Sequence, residues 1–163
     1  MTAEHRARAA LRAFSADLLR YFERRVPSQE DAADLLSETM LQVWRRYEAC
    51  PSEAEDQRRW LYQVAANVLS NHRRASRRRS ALVTKLRSVI QTDTEADATE
   101  SVAVRELVES LPADQRELIR LVHWDGLSLA DAAAVLGINA STARSRYAAA
   151  RGKLRQVLYE HAD

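Results

Sequence analysis

The chain has 163 residues, with 25 Lys and Arg against 23 Asp and Glu, and a single cysteine, which excludes a disulfide framework. With 3 glycines, 3 prolines and abundant Ala and Leu, its composition favours helix over sheet. No window approaches the roughly 18 apolar residues of a membrane span, and the charged start MTAEHRARAALRAF lacks a signal-peptide core, so a soluble, cytoplasmic, all-helical protein with no membrane partner is expected.

A first helix is predicted from about His5 to Val26, because Leu11, Phe14, Leu18, Phe22 and Val26 recur at spacings of three and four. Pro27 ends it. Ser28 followed by Asp31 resembles a capping box, after which Ala32, Leu35, Leu36, Thr39, Val43, Trp44 and Tyr47 continue along one face of a second helix as far as Pro51. The polar segment CPSEAEDQ, residues 50–57, reads as a loop. A third helix carries Trp60, Leu61, Val64, Ala65, Val68 and Leu69 as an apolar stripe and closes on the basic run HRRASRRR. Trp60 belongs to that stripe and is assigned to the core, whereas Tyr62 lies off it and stays open for other roles.

Leu82, Val83, Leu86 and Ile90 suggest a short extra helix. The segment QTDTEADATE that follows has four acids, no base and no large apolar side chain, so residues 91–100 read as a flexible linker between a domain at 1–90 and another at 101–163. The second domain reads as four helices, Val102 to Ser110, Ala113 to Trp124, Leu129 to Leu136 and Ala140 to Tyr159. Gly126 and Gly137 punctuate them, and Ser128 and Asn139 serve as N-caps.

Charge is unevenly placed. Residues 1–80 hold 15 bases and 11 acids, residues 81–110 hold 3 and 6, and the run from Gly137 to Leu158 has Arg144, Arg146, Arg151, Lys153 and Arg155 with no acid. The stretch LSLADAAAVLGINASTARSRYAAARGKL has the layout of a helix-turn-helix, with the small Ala133 at the helix crossing. On its second helix Ala143, Tyr147, Ala150, Leu154 and Leu158 face the core, which leaves Ser141, Thr142, Arg144, Ser145, Arg146, Arg151 and Arg155 outside. These are the side-chain types that contact base edges and phosphates when a recognition helix enters the major groove.

The segment LPADQRELIRLVHWDGLSLADAAAVLGINASTARSRYAAARGKLR resembles region 4 of bacterial sigma factors of the extracytoplasmic-function (ECF) group. EDAADLLSETMLQVWRR and RRWLYQVAANVLSNHRR resemble region 2 of the same family, in the right order. The resemblance implies two small helical domains joined by a linker, a sigma region 2 bundle and a sigma region 4 helix-turn-helix. Such a protein binds core RNA polymerase and directs promoter-specific initiation.

It further implies that Asp34, Leu35, Glu38, Gln42 and Trp44 lie on the helix that packs against the polymerase clamp. The residues agree in part, since Leu36, Val43 and Tyr47 suit a core while Asp34, Glu38 and Gln42 share another face. The minus-10 element falls to the segment Ser52 to Arg59 and then to Asn67, Asn71, Arg73 and Arg74, whose amides and guanidinium groups can hold exposed bases and strand phosphates. The minus-35 element falls to Ser141, Thr142, Arg144, Ser145 and Arg146, with Arg151 and Lys153 placed for phosphate. Ser37, Met40 and Ala66 depart from the family's usual Gln, Phe and Arg. Ala143 stands where Val is usual, and Ala148 and Ala149 where His and Arg are frequent, so weaker minus-35 affinity than is typical is expected.

No Gly-rich phosphate loop, HExxH or CxxC occurs, and His5, His72, His123 and His161 lie far apart, so no metal, cofactor or enzymatic activity is expected. Family members are often held inactive by an anti-sigma factor, a partner implied by the resemblance alone. With nothing after Asp163, no added sensory domain is expected. Two rivals stand beside the sigma reading: a helix-turn-helix regulator that does not replace a sigma subunit, and a helical adaptor whose basic faces bind acidic proteins.

Overall fold

The computed structural model describes residues 1–83 and 102–160, and the chain divides into two compact units, Met1–Glu95 and Ala96–Asp163. The expected linker at 91–100, and Leu86 and Ile90 of the expected extra helix, lie outside the described residues, while Leu82 and Val83 continue the third helix.

In the first unit α1 spans Ala3–Glu23, α2 Gln29–Arg45 and α3 Ala54–Val83. Thr2 caps α1, its hydroxyl accepting from the His5 amide at 3.2 Å. Past the end of α1 the buried Arg25 folds back, donating to the Tyr21 carbonyl at 3.0 Å and lying 3.9 Å above the Tyr21 ring. Ser28 caps α2 as its sequence suggests, accepting from the Asp31 amide at 3.0 Å. A 3₁₀ turn at Tyr47–Ala49 leads toward α3.

The loop before α3 is shorter than residues 50–57, since helix begins at Ala54. The Gln57 amide donates to the Glu53 carbonyl at 2.9 Å and its side chain to Pro51 and Ser52 at 3.0 and 3.3 Å, so the polar residues close the first turn. Glu55 and Asp56 favour the positive end of the helix.

The core joins Leu18, Tyr21 and Phe22 of α1, Ala32, Leu35, Thr39 and Val43 of α2, and Leu61, Tyr62, Ala65 and Leu69 of α3, all buried. Tyr21 meets Phe22 and Tyr62 edge to face, with ring centroids 5.2 and 5.5 Å apart. The buried Thr39 hydroxyl is satisfied by the Leu35 carbonyl at 2.7 Å. Tyr62 is thus a core residue, and Trp60 is only half-buried.

In the second unit α4 spans Val102–Glu109, α5 Ala113–Ile119, α6 Leu129–Leu136 and α7 Ala140–Glu160. The expected single helix from Ala113 to Trp124 is α5 followed by a π-helical turn, Arg120–Trp124. There the Asp125 amide reaches the Arg120 carbonyl at 3.0 Å, and Leu127 reaches Leu121 at 2.9 Å, with Gly126 at φ 67° between them. Arg120 is buried beside this turn and meets the carboxylates of Glu109 on α4 and Glu117 on α5. Val108, Leu111, Ile119 and Ala150 form a core on which Trp124, Tyr147 and Leu154 pack.

Candidate functional site

The second unit presents a helix-turn-helix built from local signals. Ser128 caps α6 through the Asp131 amide at 3.0 Å. Gly137, at φ 66°, ends it in the left-handed conformation, so that the amides of Ile138 and Gly137 close on the carbonyls of Ala133 and Ala134 at 3.0 and 3.2 Å. Asn139 then caps α7, accepting from the Thr142 amide at 2.8 Å. Ala132, Ala133 and Ala143 are buried, small side chains that bring α6 and α7 close together.

The inner face of α7 is Ala143, Tyr147, Ala150 and Leu154, as the spacing predicts. Leu158 departs from it at 59% exposed, because α7 there runs past the core and Leu158 lines an apolar cavity of about 450 Å3 with Ile119, His123 and Leu154. His123 hydrogen-bonds the Tyr147 hydroxyl at 2.8 Å, its ring stacked on the tyrosine.

On the outer face Ser141, Arg144, Ser145, Arg151 and Arg155 are exposed. At 100° per residue Arg144, Arg151 and Arg155 share one row. Two of the residues assigned to the minus-35 element are engaged within the unit: Thr142 is half-buried, and Arg146 pairs with Asp114 of α5 at 3.2 Å. Sequence spacing gave no sign of that pair, since 32 positions separate its members.

In the first unit Asp34 is exposed, and Glu38 and Gln42 are half-buried and joined, the Gln42 amide donating to the Glu38 carboxylate at 2.8 Å. Leu35, assigned with them, is 5% exposed, so it supports this face from the core rather than offering itself to a partner. Exposed apolar area comes instead from Leu41 at 51% and Trp44 at 42%. The Arg8 guanidinium covers part of Trp44, 5.7 Å from the ring centre. Sequence reasoning missed Leu41, which only its three-dimensional neighbours distinguish from a core leucine.

On α3 Asn67, Asn71, Arg73 and Arg74 are exposed, and Arg74 donates to the Asn71 side chain at 2.6 Å. Arg59 is half-buried and paired with Asp56 at 2.6 Å, about two turns before Asn67. Most of the segment Ser52 to Arg59 is helical rather than loop. Among the described residues no helix is long and apolar enough to cross a membrane.

The chain matches the family described as Sigma-70 region 2 over residues 10–79 and that described as Sigma-70, region 4 over residues 101–154. It is 30% identical over 150 residues to the ECF RNA polymerase sigma factor SigL of Mycobacterium tuberculosis, covering 90% of this chain and 85% of that one. To SigC of the same species it is 39% identical over 128 residues, covering 76% and 68%.

Among solved structures it resembles the sigma factor RpoE from Bartonella quintana, in complex there with the anti-sigma factor NepR. The TM-score is 0.69 at 23% identity, covering 93% of this chain and 96% of that one. It also resembles CnrH, in complex with the cytosolic domain of CnrY, with a TM-score of 0.63 at 23% identity, covering 97% and 95%. At those identities the likeness is one of fold.

Proposed function

Since the chain belongs to the ECF group of RNA polymerase sigma factors, which bind core polymerase and direct promoter-specific initiation, we propose how its surfaces divide that work. The observation that carries the reading is the presence of both sigma regions in order, each within its own compact unit. A helix-turn-helix regulator needs only the second, and an adaptor needs neither.

Asp34, Glu38 and Gln42, flanked by Leu41 and Trp44, form the polymerase-facing side of α2. Exposed apolar side chains beside charged and amide groups are the mixed composition of a protein interface. Asn67, Asn71, Arg73 and Arg74 on α3 take the melted minus-10 strand, with Arg59 at its edge. Amides and guanidinium groups supply hydrogen bonds to base edges and phosphates where the strands have parted. Ser141, Arg144 and Ser145 at the start of α7 read the minus-35 duplex, Thr142 and Arg146 border them, and Arg151 holds phosphate.

The role is regulatory. Bond formation is left to the polymerase, and this chain contributes binding energy that holds unpaired bases. It acts in the cytoplasm, where polymerase and promoter DNA meet. An anti-sigma factor, as in the RpoE complex, is the class of partner that holds such a protein inactive.

Run-off transcription from a genomic fragment library, with sigma-free core polymerase and a core-only control, tests the reading. Discrete start sites that depend on this chain are expected. Their absence together with no binding to core favours the simple DNA-binding regulator.

A further inference from the structure

Arg146 is the one arginine of α7 that meets a carboxylate among the described residues, and that carboxylate comes from another helix. From Gly137 to Leu158 the sequence holds no acid, so α7 brings none of its own. Asp114, in the first turn of α5, reaches across to it. At a protein surface such a pair adds little stability, because solvent screens it and two mobile side chains must be held in one place. Asp114 is exposed and Arg146 half-buried, so stability does not account for an acid set beside a surface that meets phosphates.

The contact has a direction. Arg146 meets the Oδ2 atom of Asp114 through Nε, the inner nitrogen of the guanidinium, at 3.2 Å. Its two terminal amino groups donate to no other residue among the described ones. The carboxylate is itself oriented, as its Oδ1 atom accepts from the Gln115 amide at 3.0 Å. Both partners stand on packed helix. Leu118 and Ile119 anchor α5 about one turn on from Asp114, and Ala143 and Ala150 are buried on either side of Arg146 along α7.

The place of Arg146 on the helix decides what its free end meets. Arg144 and Arg146 stand about 100° to either side of Ser145, so one flank of α7 carries Arg144, Arg151 and Arg155 and the other Thr142, Arg146 and Lys153. A helix about 10–12 Å across fills a major groove about 12 Å wide. When Ser141 and Ser145 face the base edges, the two flanks therefore face opposite walls of the groove, each lined by the phosphates of one strand.

We propose that Asp114 is a positioning residue for duplex recognition: it holds Arg146 by Nε, with the terminal amino groups aimed at a phosphate on the groove wall away from Arg144. A free arginine loses much rotamer freedom when it is fixed on a partner, and one already held loses less, which is how a pre-organised contact gains affinity. The planar fork of the guanidinium matches a phosphate once its inner nitrogen is anchored. By charge alone Asp114 repels DNA, and its ordering of Arg146 outweighs that repulsion. This role rests on the reading of α7 as the minus-35 surface and adds to it a residue from outside the recognition helix.

The test uses the full chain and a labelled duplex that the unsubstituted chain selects from a random-sequence pool, with affinity followed by anisotropy as salt is raised. Asp114→Asn, which removes the charge and keeps the shape, is expected to weaken binding by about threefold to tenfold, the cost of ordering one more side chain on binding. Charge alone predicts the opposite sign. Arg146→Gln is expected to lower the slope of log K against log salt by about 0.9, one phosphate, and in that background Asp114→Asn weakens binding no further.

Tighter or unchanged binding by Asp114→Asn overturns the role of Asp114. So does an equal weakening with and without Arg146, which makes the loss structural. An unchanged slope for Arg146→Gln overturns the phosphate contact. Arg144→Ala, measured on the same duplex, separates the two levels. If it too leaves binding unchanged, the reading of α7 fails, whereas weakening by Arg144→Ala and not by Asp114→Asn refutes only the positioning of Arg146.

Discussion

Arg144 shows how much a single side chain decides in this molecule. It is exposed near the start of α7, one turn beyond the Asn139 cap, while its neighbour Arg146 is held by Asp114. Replacing Arg144 with alanine is expected to weaken binding to the promoter duplex by about 1–3 kcal/mol and to relax its specificity at one position. Titrating a set of single-base promoter variants checks this, and uniform weakening across the set would make Arg144 a phosphate contact instead. Cys50 supplies a prediction of another kind. Burial raises its thiol above the ordinary value, with Arg6 acting weakly in the other direction. The neutral thiol is then favoured more in the folded than in the unfolded chain, so this contribution to stability is present below the unfolded thiol's pKa and declines as pH rises through it. Urea unfolding at pH 8 and pH 10 is expected to show a smaller loss for Cys50→Ala than for the parent. Side chains are also where sequence reasoning failed most. Tyr62 lies beside the apolar stripe rather than on it, but α3 packs against both α1 and α2, so the buried arc is wider than one stripe and takes in Tyr62. Nothing local to residue 62 announces the Tyr21 ring on the other side.

Elements were far more legible, because their ends are set by chemistry that is local in sequence. Ser28, Ser128 and Asn139 all cap the helices their positions suggest. Gly137 is needed for its left-handed backbone alone, as a Cβ built there meets no atom within 4 Å. Gly137→Ala is therefore expected to cost about 1 kcal/mol through backbone strain, with Gly137→Asn milder, both read from thermal unfolding. The π-helical turn at Arg120–Trp124 is not legible in the sequence, where Ala113 to Trp124 reads as one continuous helix, and the Arg120 contact with Glu109 eleven positions earlier leaves no local mark either. On the outer face of α7 Ala148 and Ala149 are exposed and bring no charge to a phosphate. A minus-35 duplex titrated with salt is expected to show fewer than about five neutralised phosphates, and a steeper slope would mean that Arg151, Lys153 and Arg155 compensate.

For the molecule as a whole the useful separation is between steps of initiation. Asp34→Lys with Glu38→Lys is expected to reduce core polymerase binding at least tenfold while leaving the salt slope on promoter duplex unchanged, since the altered face is on α2 and the proposed minus-35 contacts are on α7. Arg144→Ala is expected to do the reverse. Co-purification with core and anisotropy on DNA distinguish the two, and a change in both by either variant would indicate that the surfaces are not separate. The family was readable from motifs of two regions in order, because recognition needs particular side chains at fixed spacing and so leaves a mark in sequence. Which of those side chains stand free was not readable, for Leu35 sinks into the core and Leu41 does not. The three tryptophans of the chain fall in three different surroundings: Trp44 is exposed beneath Arg8 on the side of α2 proposed to meet polymerase, Trp60 is half-buried near the start of α3, and Trp124 packs on the core of the second unit. A fluorine atom on each indole would give three separable resonances, so one spectrum could follow polymerase docking, strand capture and the integrity of the helix-turn-helix unit in a single tube.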